Sequence, residues 1–190
     1  MKKGKTNHAI IGFDFDKVFV NYPPLIPDAF INWVYKKKSK TLKYRMPGKF
    51  EQKIRIFSHY PLFRHPVEHN IEALRALHNK KTHSLYLISG RLGFLDKRTD
   101  QWMRKFPIKK YFKDIYFNFS NKQSHLFKDE IIKSLNITHF VDDDLDLLLY
   151  LAKNNPKVSF YWINTDRFTK RYIPFDNIKK IEKISDIQNL

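Results

Sequence analysis

A single α/β domain, a parallel sheet with helices on both faces, is the fold class this sequence predicts, and three observations predict it. Short apolar runs alternate with longer stretches of helical periodicity, the order that parallel strands joined by crossover helices require. Three of the runs end in the chain's most chemically capable residues, as expected where ligands bind outside the carboxyl ends of strands. The length, 190 residues, suits one domain with a small insertion. Such a chain buries roughly 70% of its unfolded surface and needs no covalent staples.

Ala9 to Phe15 reads as the first strand, since its apolar run is short enough for one buried strand. Asp14 and Asp16 stand at i and i+2 at its end, where a period of two points both to one face. A sheet core is a costly place for two unpaired carboxylates; a cation, or a reaction needing one of the two ionised and the other protonated, removes the objection. A helix-rich block spans about 24 to 80. Within it Ile26, Phe30, Trp33 and Val34 form one stripe, with Pro27 in the first turn, and Tyr35 to Lys40 reads as a solvated helix end. Val67, Ile71, Leu74 and Leu77 form a second stripe behind Pro66.

His83 to Ser89 is the second strand. A helix from Asp96 to Phe106 follows, burying Trp102, Met103 and Phe106. Asp114 to Asn118 is a third strand, and Leu126, Phe127, Ile131, Ile132 and Leu135 mark the next helix. Ile137 to Val141 is a fourth strand, a Leu-rich helix runs on to Lys153, and Lys157 to Ile163 is a fifth strand. The tail from Asn177 is expected to be helical. No internal repeat or low-complexity linker interrupts this order.

Composition narrows the chemistry. There is no cysteine, which excludes disulfides and thiolate metal sites and fits a reducing, cytoplasmic setting. No apolar run approaches the roughly 18 residues of a membrane span, and the first ten residues lack the apolar core of a secretion signal. Net charge is +17, from 36 Lys and Arg against 19 Asp and Glu. Such a field attracts phosphates, nucleotides or nucleic acid. The abundance of Lys, Asn, Ile, Phe and Tyr also fits an A- and T-rich coding sequence, so polyanion binding and compositional drift both remain open.

The strand ends would bring Asp14, Asp16, Asp142, Asp143 and Asp144 into one cleft, with Asp146 one turn further on. Carboxylates without His or Cys suit Mg²⁺, which binds through a few acids plus substrate phosphate. Ser89 and Gly90 end a strand where a hydroxyl and backbone N–H groups can hold an anion, and Arg91 could add a bidentate phosphate contact. A lysine is wanted for balance, and Lys128 and Lys122 are the candidates. His65 and His69 have i, i+4 spacing, but Pro66 between them and the missing third ligand argue against zinc. Arg45, Lys49, Arg55 and Arg64 are candidates for a second anionic group or for plain solvated surface.

With those residues in place, the chain resembles the haloacid dehalogenase (HAD) superfamily of aspartate-nucleophile phosphohydrolases. "IIGFDFDKVF" matches the family's strand followed by DxDx[T/V], "LYLISGR" its strand ending in Ser or Thr, "FKDEIIKSLNI" its lysine motif, and "THFVDDDLD" its strand ending in paired acids. The resemblance spans residues 9 to 152 in the family's order. It implies a Rossmann-like three-layer core, residues 1–19 and 81–190, with a helical cap inserted at 20–80.

The resemblance also implies roles. Asp14 would be the nucleophile and Asp16 the general acid and base. Ser89, with Gly90 and Arg91, would bind the phosphoryl group, and Lys128 would bridge it to Asp14. Mg²⁺ would be held by Asp14, the Asp16 carbonyl and an acid of the Asp142–Asp143 pair, Asp143 being the favoured ligand. Lys17 replaces a frequent glycine and reads as a solvated residue in a turn that still forms. The implied substrate is a small phosphorylated metabolite such as a nucleotide. A polynucleotide end phosphatase or a non-catalytic nucleic-acid binder is the alternative, and no membrane partner is implied.

Overall fold

A computed structural model describes residues 8–23, 42–166 and 168–187. The stripe of Ile26, Phe30, Trp33 and Val34 and the basic run 35–40 lie outside the described residues. Six strands form one parallel sheet: β1 (Ala9–Phe13), β2 (His83–Ser89), β3 (Asp114–Phe117), β4 (His139–Asp142), β5 (Ser159–Ile163) and β6 (Ile178–Ile181). Their spatial order is β3-β2-β1-β4-β5-β6. The described helices are α1 (Lys49–Ser58), α2 (Glu68–Lys80), α3 (Asp96–Lys105), α4 (Ser124–Ser134) and α5 (Leu145–Asn154).

Two cores follow from strand alternation. Ile11, Phe13, Leu85, Leu87, Val141, Tyr161 and Ile163 pack on one face against Ile71, Leu74 and Leu77 of α2 and Trp102 of α3. Tyr86, Ile88, Phe140, Phe160 and Trp162 pack on the other face against Phe127 and Ile132 of α4 and the leucines of α5. Residues one apart on a strand thus enter different cores, which is why these strands read as unbroken apolar runs. Of segment 20–80, α2 therefore packs as a covering layer of the sheet, whereas α1 lies beyond it.

The tail corrects the sequence reading. Ile178 to Ile181 is a parallel edge strand on β5, with Phe160 paired to Ile178 and Ile163 to Ile181. Ile178 enters one core and Ile181 the other. Three residues apart on a strand means opposite faces, so this pair serves an edge strand buried on both sides. Lys179 and Lys180 between them are exposed.

Gly12 sets how closely the second core approaches β1. A Cβ there would lie 2.7 Å from Phe140 Cδ2 and 3.0 Å from Ile88 Cδ1. Gly12→Ala is therefore expected to cost about 1–3 kcal/mol by overpacking. Urea unfolding should show a lowered midpoint at unchanged slope.

Candidate active site

The strand order reverses around β1, which has β2 on one side and β4 on the other, so the crevice opens beyond these three carboxyl ends. Asp14 follows β1 directly, and its backbone N–H donates to the Val141 carbonyl at 2.8 Å. Ser89 ends β2 and Asp142 ends β4. These three side chains are buried, and together with Asp16, Gly90, Arg91, Lys128 and Asp143 they line one cleft of about 980 Å³.

Oxygens of Asp14, Asp142 and Asp143 all lie within 4.8 Å of one another. Lys128, buried on α4, is the cation among them: its Nζ donates to Asp14 Oδ1 at 2.7 Å and to Asp142 Oδ2 at 2.6 Å. Lys122 instead pairs with Glu130 at the surface, so of the two candidate lysines it is Lys128 that meets the acids. One ammonium does not balance three carboxylates. Burial, with the charges of Asp142 and Asp16, outweighs Lys128 and pushes Asp14 up to about 7. Burial likewise raises Asp142, and burial with Asp142 beside it raises Asp143 well above the usual range. Burial disfavours the Lys128 ammonium, but Asp14 and Asp142 overcome it and raise the lysine above its ordinary value. The donor set is all carboxylate, carries two more negative charges than Lys128 offsets and has the chemistry of a hard-cation site.

Asp16 occupies a different environment. Arg91 Nε donates to its Oδ2 at 2.8 Å and Arg91 Nη2 to its Oδ1 at 2.7 Å. Arg64 Nη2 shares that Oδ1. Burial would raise this carboxyl, but Arg91 and then Arg64 hold it far below the usual carboxylate range. Arg91 was expected on the phosphate; here its fork is taken by Asp16, and Nη1 donates to Thr99 Oγ1 at 3.0 Å. Arg64 is 2% exposed, so the alternative of solvated surface fails for it. Its backbone carbonyl accepts the Trp102 indole N–H at 2.7 Å, and its guanidinium lies 4.9 Å from the Tyr22 ring centroid.

Local turns explain the rest. Lys17 has a φ of 59°, and its N–H donates to the Val20 carbonyl at 2.8 Å, so the turn forms without a glycine. Its side chain is not simply solvated: Nζ lies 3.9 Å from Asp143 Oδ2 and 5.0 Å from the Tyr22 ring centroid. At Gly90 a Cβ would sit 2.3 Å from Ser124 Oγ, so even an alanine there would require the Ser124 hydroxyl to turn away. The Ser89 hydroxyl accepts the Arg91 N–H at 3.3 Å. Asp144 is the N-cap of α5, accepting from Asp146 and Leu147; it also accepts the Tyr44 hydroxyl at 2.7 Å. It therefore stands outside the carboxylate trio, and Asp146 pairs with Arg171.

Sequence reasoning missed several participants. The Tyr44 N–H donates to Gln123 Oε1 at 2.8 Å and its carbonyl accepts from Gln123 Nε2 at 3.2 Å, pinning Tyr44 to the α4 side of the cleft. His59 is buried in the cleft wall, and burial with Arg64 and Arg91 beside it keeps it neutral. Neither residue carried a local signal. His65 and His69 are exposed, and the carboxylate trio is the one candidate metal cluster among the described residues. No helix among the described residues is long and apolar enough to cross a membrane.

No protein-family model and no curated protein sequence matches this chain. Solved structures do. The candidate HAD hydrolase YfnB of Bacillus subtilis, bound to magnesium, aligns with TM-score 0.58 at 13% identity, over 94% of this chain and 96% of that one. A candidate beta-phosphoglucomutase of Thermotoga maritima gives 0.56 at 15%, over 86% and 88%. A HAD family enzyme of Bacteroides thetaiotaomicron, an aspartate-to-alanine variant with magnesium and inorganic phosphate, gives 0.53 at 15%, over 85% and 97%. The chain therefore has the fold of the HAD-like hydrolases.

Proposed function

We propose that the protein is a Mg²⁺-dependent phosphohydrolase that works through an aspartyl-phosphate on Asp14. The observation that carries this reading is the trio of Asp14, Asp142 and Asp143 clamped by the buried Lys128, beside Ser89 at the end of β2. Asp14, Asp142 and Asp143 would hold the metal, and when bound it would neutralise these carboxylates and the approaching phosphoryl oxygens. An Asp14 oxygen attacks phosphorus as the bond from phosphorus to the leaving oxygen breaks. The Lys128 ammonium, already on Asp14, stabilises charge on the transferring group, and the Ser89 hydroxyl and the turn at Gly90 orient it. Water then attacks the aspartyl-phosphate, freeing phosphate and restoring Asp14.

Asp16 is the family's acid and base. Paired with Arg64 and Arg91 it is ionised, the state that takes a proton from the hydrolytic water. Protonating a leaving alkoxide requires that it first gain a proton, so good leaving groups are the better substrates while the arginines hold it. Arg45, Met46, Arg55 and His59 line the cleft beside the trio, and we read the segment before α2 as the cap that selects substrate. The cleft has room for a nucleotide-sized phosphomonoester.

Asp14→Asn tests the reading. Metal-dependent release of phosphate from p-nitrophenyl phosphate is expected in the wild type. The variant should lose it by at least about 10³-fold, the scale on which essential nucleophiles act. Turnover equal to wild type would sink the assignment.

A further inference from the structure

Among the described residues, the excess positive charge lies outside the cleft. Eight Asp or Glu and seven Lys or Arg line it, whereas the described residues together hold 28 Lys or Arg against 18 Asp or Glu. A small phosphorylated molecule held among the lining residues meets none of this described surplus. A polyanion extending out of the cleft would meet it.

The loop after β5 shows where it would leave. This loop is ordered by polar bonds rather than by burying its rings. The Asp166 N–H donates to Asn164 Oδ1 at 2.8 Å, the Phe168 N–H to Asp166 Oδ1 at 2.9 Å, and Lys180 Nζ to the Asp166 carbonyl at 2.7 Å. Arg171 Nη2 donates to Asp146 Oδ1 at 2.6 Å, tying the loop to α5. On this frame Phe168 is 92% exposed and Tyr172 86% exposed, the two most exposed large hydrophobic side chains among the described residues. Between them lie Lys170 and Arg171, both exposed. Thr169 and Arg171 line the cleft that holds Asp14, so this platform is continuous with the candidate active site.

Aromatic faces interleaved with cations at the mouth of a phosphoryl site form a surface for unpaired bases and their linking phosphates. We propose that the substrate is the phosphorylated end of a single-stranded polynucleotide, its terminal phosphate at Asp14 and its following bases on Phe168 and Tyr172. The proposal rests on the phosphohydrolase reading and narrows its substrate.

The test compares p-nitrophenyl phosphate, a nucleoside 3′-monophosphate and single-stranded ten-mers bearing a 3′- or a 5′-phosphate, all with Mg²⁺ at low salt. One ten-mer is expected to exceed the mononucleotide in kcat/KM by roughly 10²-fold, mainly through KM, with an advantage that falls steeply as salt rises. The double variant F168A/Y172A should lose roughly tenfold or more of that advantage and turn over p-nitrophenyl phosphate as the wild type does. Ten-mers no better than the mononucleotide, or an advantage untouched by the double variant, would overturn the proposal while leaving the phosphatase standing. Absence of turnover on every substrate would instead remove the phosphatase reading. Fluorescence anisotropy of the labelled ten-mers then decides the surface: binding weakened by the double variant supports it, and unchanged or absent binding overturns it.

Discussion

Lys128→Met is expected to destabilise the fold by about 3–5 kcal/mol at neutral pH and to abolish phosphate release. Methionine nearly matches the length of lysine, so packing changes little and charge changes by one. The ammonium is buried and lies 2.7 Å from Asp14 and 2.6 Å from Asp142. Without it, two buried carboxylates face each other with a third, Asp143, close by. They can escape only by taking up protons, and Asp14 is already pushed up to about 7. The loss should therefore be smaller at pH 5 than at pH 8, as read from urea midpoints at both. On an Asp14→Asn background the same substitution should cost less, since one of the repelling charges is already gone. A loss below about 1 kcal/mol at pH 8 would mean that Lys128 does not compensate the trio.

The strands that carry the candidate site were legible because their chemistry is local. A short apolar run followed at once by Asp14, by Ser89-Gly90-Arg91 or by Asp142 states both the element and the end at which the candidate site lies. Pairings across long stretches of sequence were not. Arg64 and Asp16 are 48 residues apart, and nothing near either one marks the other. Arg64 was grouped with Arg45, Lys49 and Arg55 as a candidate for a second anionic group or for solvated surface, yet it is buried on the most acidic carboxyl of the site.

Asp144 lines the cleft with the other acids, as expected, and the structure adds a second role, since an aspartate just before a leucine-rich helix is also an N-cap signal and it caps that helix. The tail was misread because Ile178, Ile181, Ile184 and Ile187 recur every three residues, close to helical spacing. The structure uses the first two on opposite faces of an edge strand and places Ile184 in a short 3₁₀ turn. Periodicity alone cannot separate a strand buried on both faces from one turn of helix.

The carboxylate trio makes stability and metal binding depend on pH together. Asp14 binds its proton more tightly folded than unfolded, at about 7 against an ordinary 3.8. Its contribution is therefore complete below the unfolded value and is lost as pH rises through about 7. Asp142 and Asp143 are raised as well and act in the same direction. Asp16 acts oppositely: its pKa is depressed, so its stabilisation is present above the unfolded value and is lost only in acid. Chelated protein should accordingly lose stability from pH 5 to pH 8. Mg²⁺ competes with these protons, so its stabilising effect should grow over the same interval, reaching about 2.7 kcal/mol at a hundredfold excess over its Kd at pH 8. Thermal unfolding with Mg²⁺ and with chelator, at both pH values, measures this directly. Asp14→Asn should flatten the pH dependence of the chelated protein, because one of its proton-binding carboxylates is gone. A Mg²⁺ shift of equal size at pH 5 and pH 8 would place the metal away from Asp14, Asp142 and Asp143. The aspartyl-phosphate mechanism would then lose the cation its nucleophile needs to meet an anionic phosphoryl group.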